Sequence, residues 1–243
     1  MGNQRLLVFF FFTFISTCFS GFAGGNDPAS IDSVDFNRIQ QKKVRKLIHR
    51  QKQYGVQTFA DLHPACFNSC DSNAFRTFVE SKLIRQDISV VWNDLIHEPP
   101  GEEFTGRIVS FGLLYSRKFN NFLYGNEAYG GIEEGQILFF NLRMLGGLKN
   151  IAVAVEVTRL DAVQKEVEYC YIDHGMTKGT QTFTLRPTPD GFTEITQVTT
   201  YKCKSQLRDK RLYSFFHQRI VEEFFSSFKA KSESHSSLVT GKL

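Results

Sequence analysis

Five apolar residues set four apart, Leu212, Phe216, Ile220, Phe224 and Phe228, constrain this chain more than any other feature in it. A step of four keeps side chains on one side of an α-helix, so the spacing predicts a helix over 206–231 with a Phe-rich stripe. Phe215, Val221 and Phe225 widen the stripe, while Arg208, Lys210, Arg211, Arg219, Glu222 and Glu223 hold the other faces in water. Asp209 near the start and Lys229 and Lys231 near the end suit the helix dipole. So much aromatic surface needs a broad apolar partner to lie against.

The stretch before it supplies one. From Gly106 the apolar period drops from near 3.6 to 2, and strands are expected over 106–115, 135–145, 150–160, 165–173, 179–187 and 192–204. Ile151, Val153, Val155 and Val157 alternate with Ala152, Ala154 and Glu156, and Thr188-Pro189-Asp190-Gly191 marks a hairpin. Upstream, 75–84 has strand character, with a helix from Asp71 competing for its start. Asp87 then caps a short helix over 88–96 whose apolar side is Val91, Trp92, Leu95 and Ile96, and Pro99-Pro100-Gly101 ends it. The order is strand, short helix, six mostly antiparallel strands, long helix. The expected fold is α+β, with a curved seven-stranded antiparallel sheet whose apolar face the last helix covers.

Before this unit lie two features of another kind. Residues 1–23 read as a signal peptide: Arg5 precedes the apolar run from Leu6 to Ile15, and Gly21-Phe22-Ala23 offers a small-residue cleavage site. The expectation is an exported protein, periplasmic or secreted. A lipoprotein anchored at Cys18 is the minority alternative, since Thr17 fits a lipobox poorly. Between Phe36 and Tyr54 there are seven basic residues and no acid, interleaved with Ile39, Val44, Leu47 and Ile48. Two readings are open. The helix packs by its apolar half and leaves a solvated basic face, or it docks on an anionic membrane surface. Export argues against nucleic acid as a partner.

Cysteine usage follows from the same compartment. Cys66 and Cys70 are close in sequence, and a local disulfide between them is expected in an oxidising environment. His63 and Asp71 flank them, but zinc sites bring a second ligand pair and none is present, so no metal is assigned. Cys170 and Cys203, placed opposite Gln181 and Thr177, are expected to be buried free thiols.

The run from Phe78-Val79-Glu80 through Asp87-Ile88 to Val91-Trp92-Asn93-Asp94-Leu95 resembles the opening of START-like (helix-grip, SRPBCC) domains, and the element order agrees. The resemblance covers 75–231 and implies a curved sheet gripping a long helix with an apolar cavity between them. It also implies binding of lipids or other hydrophobic molecules, with a minority of cyclases and hydrolases. The iron motif of the oxygenase members has no counterpart.

One strand face mixes polar with apolar groups: Tyr169 and Tyr171, Gln181 and Phe183, Gln197, Thr199 and Tyr201. Turned inward and joined by Phe216 and His217, these nine residues make a ligand site of apolar walls with a few polar groups. Turned outward they are ordinary surface, and one residue of slip exchanges the two. His217 as a general base oriented by Asp209 fails on distance, since eight residues of helix span about 12 Å. No nucleophile elbow, phosphate loop or His-Glu-x-x-His motif is present, so neither catalytic residues nor a cofactor are assigned. The expected organisation is a signal peptide over 1–23, then a linker, basic helix and Cys loop over 24–70. A helix-grip domain follows over 71–231, and a disordered Ser-rich tail over 232–243. Its expected function is to hold a lipid or other hydrophobic small molecule. The alternatives are a cyclase- or hydrolase-like enzyme on the same fold, or an envelope protein docked through its basic helix.

Overall fold

The computed structural model describes residues 27–125, 127–204 and 213–240. The signal segment, the start of the last helix and the Arg208–Arg211 cluster lie outside the described residues.

A single antiparallel sheet of eight strands organises the chain. The strands are β1 (Arg76–Ile84), β2 (Val109–Ser116), β3 (Asn121–Leu123), β4 (Gln136–Met144), β5 (Lys149–Asp161), β6 (Glu166–Tyr171), β7 (Thr177–Pro187) and β8 (Thr193–Cys203). They lie in the order β1-β8-β7-β6-β5-β4-β2-β3, so β4 to β8 follow the chain as a meander, while β1 lies beside β8 and the β2–β3 hairpin meets β4 through β2. The eighth strand is β3, three residues within the turn-rich stretch after β2, too short to show a period. The helices are α1 (Lys42–Gln51), α2 (Ile88–His97), α3 (Pro100–Glu103) and α4 (Tyr213–Thr240). A curved antiparallel sheet closed by a long C-terminal helix is the helix-grip arrangement.

Helix α4 lies along the inner face of the sheet. Val221, Phe224, Phe225 and Phe228 pack with Phe183, Leu185 and Ile195 from the strands and with Val91, Trp92 and Leu95 of α2. Asp87 caps α2 by accepting from the Ser89 amide at 2.7 Å. Two expectations about the helix need correction. Phe215 is half exposed under the Arg219 guanidinium rather than part of the stripe. The helix also runs to Thr240, so residues 232–240, expected to be disordered, continue it.

The outer face is covered as well. Residues 27–67 wrap across it and bury Ile31, Ile39, Val44, Leu47, Ile48 and Phe59 against Leu113, Tyr115, Ile137 and Phe139 of β2 and β4. Each such side chain taken fully from water is worth about 1.5–3 kcal/mol. Helix α1 therefore packs by its apolar half, as the first of the two readings required. Gly112 permits its approach: a Cβ there would stand 2.9 Å from a Val44 methyl. Arg117 ties down the wrap. Its guanidinium donates to Glu156 at 3.0 Å, to the Phe59 carbonyl at 3.2 Å, and to the Leu62 carbonyl.

The cysteine pairing also needs correction. The disulfide joins Cys66 to Cys170, 104 residues apart, while Cys70 is free and exposed and Cys203 is a buried cysteine whose Sγ lies 3.7 Å from the Thr177 hydroxyl. Register explains it. Cys170 lies opposite Thr180 rather than Gln181, and points away from the face that carries Tyr169 and Tyr171. Residues 63–67 run across that outer side. The Ala65 amide donates to the Tyr171 carbonyl at 2.7 Å, and Gly179 donates back to Ala65 at 2.8 Å.

Candidate functional site

Between α4 and the sheet lies a cavity of about 320 Å³ with predominantly apolar walls. The period-two alternation of β6 to β8 sends one face of each strand into it, and α4 closes the other side. Tyr169, Tyr171, Gln181, Phe183, Gln197, Phe216 and His217 all line it. Thr199 and Tyr201 stand one layer behind. The Thr199 hydroxyl lies 3.2 Å from Nε2 of His217, and Tyr201 stacks on Tyr213 with ring centroids 3.6 Å apart. The register puts these side chains on one face: Tyr169 faces Gln181, Gln181 faces Thr199, and Phe183 faces Gln197.

An aromatic tier closes the end of the cavity nearest the start of α4. Tyr171 and Tyr213 share a hydrogen bond of 2.6 Å between their hydroxyls, and Tyr213 stacks on His217. Phe78 of β1 meets His217 edge-on at 5.0 Å. Burial raises the pKa of the Tyr171 and Tyr213 phenols above the ordinary tyrosine value. Burial also pushes His217 down to about 4, so its ring is neutral at physiological pH.

The polar atoms of the cavity are sparse, and some have no partner. Gln197 donates to Gln181 Oε1 at 3.0 Å, but its own Oε1 is buried without a hydrogen bond. Nδ1 of His217 is likewise unmatched. Such groups cost about 1–3 kcal/mol each when left dry, so they are natural partners for a polar group on an occupant. No Asp or Glu lines the cavity among the described residues, and Lys149 at its edge is the one charged residue there. The arrangement can orient a neutral polar group by hydrogen bonds. Among the described residues no carboxylate lines the cavity beside His217 to turn the ring into a strong base.

Sequence reasoning missed the contribution of the N-terminal wrap, because Leu47 and Gln51 of α1 also line the cavity. The signal was present. Residues 44, 47, 48 and 51 form the buried stripe of α1, and Gln51 is its only amide. Its side chain is 2 % exposed, with Oε1 unpaired. Cys66 is held in the disulfide and is no thiolate ligand, and no cluster of three metal-ligating side chains occurs among the described residues. No helix of the described residues is long and apolar enough to cross a membrane.

No protein-family model matches this sequence, and no curated protein matches it. Among solved structures, the chain is similar to ginseng major latex-like protein 151 from Panax ginseng, at 12% identity and a TM-score of 0.47, over 65% of this chain and 98% of that one. It is also similar to a protein from Nitrosospira multiformis, at 10% identity and a TM-score of 0.44, over 67% of this chain and 99% of that one. Ara h 8.0201 gives 17% identity and a TM-score of 0.44, over 66% of this chain and 99% of that one.

Proposed function

We propose that this is an exported binding protein that holds a lipid or comparable hydrophobic small molecule between the sheet and α4. One observation carries the reading: an apolar cavity among whose few polar atoms Gln197 Oε1 and His217 Nδ1 lack partners among the described residues. Apolar burial drives binding, and the unmatched atoms orient the ligand. Export is supported by the apolar N-terminal run and by the long-range Cys66–Cys170 disulfide, a pairing typical of oxidising compartments.

Native mass spectrometry of the protein purified from its own host, followed by solvent extraction, tests this. A co-purifying apolar molecule at one-to-one stoichiometry is expected, and Ile220→Trp, which fills the cavity from α4, should lose it. A clean unliganded mass with no uptake from a mixed lipid extract overturns the reading.

A second reading, docking on an anionic membrane, is favoured by a specific patch. Leu145 and Leu148, the latter 91 % exposed, flank the β4–β5 turn beside Lys149. Binding to anionic vesicles that falls steeply with salt supports docking; salt-independent binding or none removes it.

A further inference from the structure

We infer that the cavity is entered through the sheet, from its outer face, and that a basic rim there holds the acid head of a single-chain amphiphile. The inference rests on the cavity reading and names its ligand class.

The entrance follows from the pairing. Strand β5 begins at Lys149, but its ladder with β6 begins only at Val155 opposite Tyr171, with one further bond from the Ile172 amide to the Ala154 carbonyl. Residues 149–153 therefore have β4 on one side and no strand on the other. Across from that edge the β6–β7 connection is splayed, because Ala65 occupies the position between Tyr171 and Gly179. The cavity lining records the gap directly. It takes every residue from Ile151 to Val155, both faces of the strand, as only a strand seen edge-on can supply. Beyond the gap stands α1, with Leu47 and Gln51 facing in.

On the outer side the same opening widens into a shallow basic depression. It shares Leu47, Lys149 and Met176 with the cavity and adds Lys43, Lys46 and Arg50 of α1. No acid lines it among the described residues, and none of these four cations has a carboxylate partner there. Two buried atoms at the junction are unmatched, Gln51 Oε1 and Arg50 Nε. An apolar tunnel that ends in unpaired cations fits a molecule built the same way: an alkyl tail threaded past Leu47 and Gln51, and a carboxylate or phosphate left among the lysines.

The test compares laurate, dodecyl phosphate and methyl laurate on the full chain and on the K43Q/K46Q/K149Q variant. All three substituted side chains are exposed, and folding is checked by circular dichroism. At low salt both anions are expected to bind about tenfold more tightly than the ester, a preference worth about 1.4 kcal/mol. The variant should lose that preference while holding methyl laurate unchanged, and the tighter of the two anions identifies the head group. Equal binding of anions and ester to both proteins overturns the basic entrance and leaves the cavity reading standing. Binding of none of the three overturns both. If the variant loses binding to phosphatidylglycerol vesicles while the unaltered protein shows no preference for laurate over its ester, the cations serve docking and the inference falls.

Discussion

His217 shows how one residue couples the site to the stability of the fold. It is 6 % exposed, held by Thr199 on one nitrogen and by ring contacts with Tyr213 and Phe78. Burial moves its pKa from 6.5 to about 4. The unfolded chain takes up its proton at the higher value, so the stability this neutral ring contributes is complete above 6.5. It is lost progressively as pH falls toward 4, by up to about 3 kcal/mol. Urea unfolding at neutral pH and again near the lower end of that window should show the loss. His217→Phe, which keeps the ring stack without the titration, should show distinctly less of it. An equal loss in both proteins would assign the slope to other groups.

At the scale of elements, α4 is fastened to the sheet by a carboxylate as well as by its aromatic stripe. Glu223 accepts from three successive amides at the entry to β2: Arg107 at 3.0 Å, Ile108 at 2.8 Å and Val109 at 3.1 Å. Gly106 leaves room for it, since a Cβ there would stand 2.1 Å from the Glu223 oxygen. Glu223→Gln should cost about 1–3 kcal/mol through the weakened amide bonds. Gly106→Ala should cost a similar amount, and the double variant less than the sum, because both act on one contact. Additive losses in denaturant unfolding would place the two effects in different contacts. None of this clamp was legible in the sequence, where Glu223 reads as one more polar residue on the far side of a helix. The elements themselves were legible, because the period changes from 2 over β5 to β8 to 3.6 over α4. Strands β2 and β4 gave a weaker pattern for a physical reason: Ile137 and Phe139 face the wrap while Leu138 and Phe140 face α4, so no polar face remains to mark the alternation. The inward set from Tyr169 to Gln197 was legible for the opposite reason, since polar groups stand out on an apolar face. Gln51 was marked only as the one amide on the buried stripe of α1; its place at the cavity depends on a helix lying across a gap that only the strand pairing creates.

In the whole molecule, the sheet is shared between two layers that are held in different ways. The inner layer is one helix with a large aromatic contact. The outer layer is a wrap of short turns and α1, whose apolar contacts are supplemented by Arg117 and by the Cys66–Cys170 disulfide. A cross-link spanning 104 residues restricts the unfolded chain strongly, so its removal should cost about 2–5 kcal/mol. Where that loss falls is the more informative question. Cys66 sits at the end of the wrap, and without the bond residues 27–67 can leave the sheet while α4 stays docked. Cys66→Ala should therefore raise amide exchange over 27–67, and over the β5 edge beneath α1, well before it affects the buried turns of α4 around Phe225. Non-reducing peptide mapping of the unaltered protein should find the Cys66 and Cys170 peptides joined and Cys70 open to alkylation. Faster exchange confined to the wrap would make it a separately opening layer over the entrance proposed above. A uniform rise across the wrap and α4 would instead mean that the two layers unfold as one unit, with the disulfide acting only on the global transition.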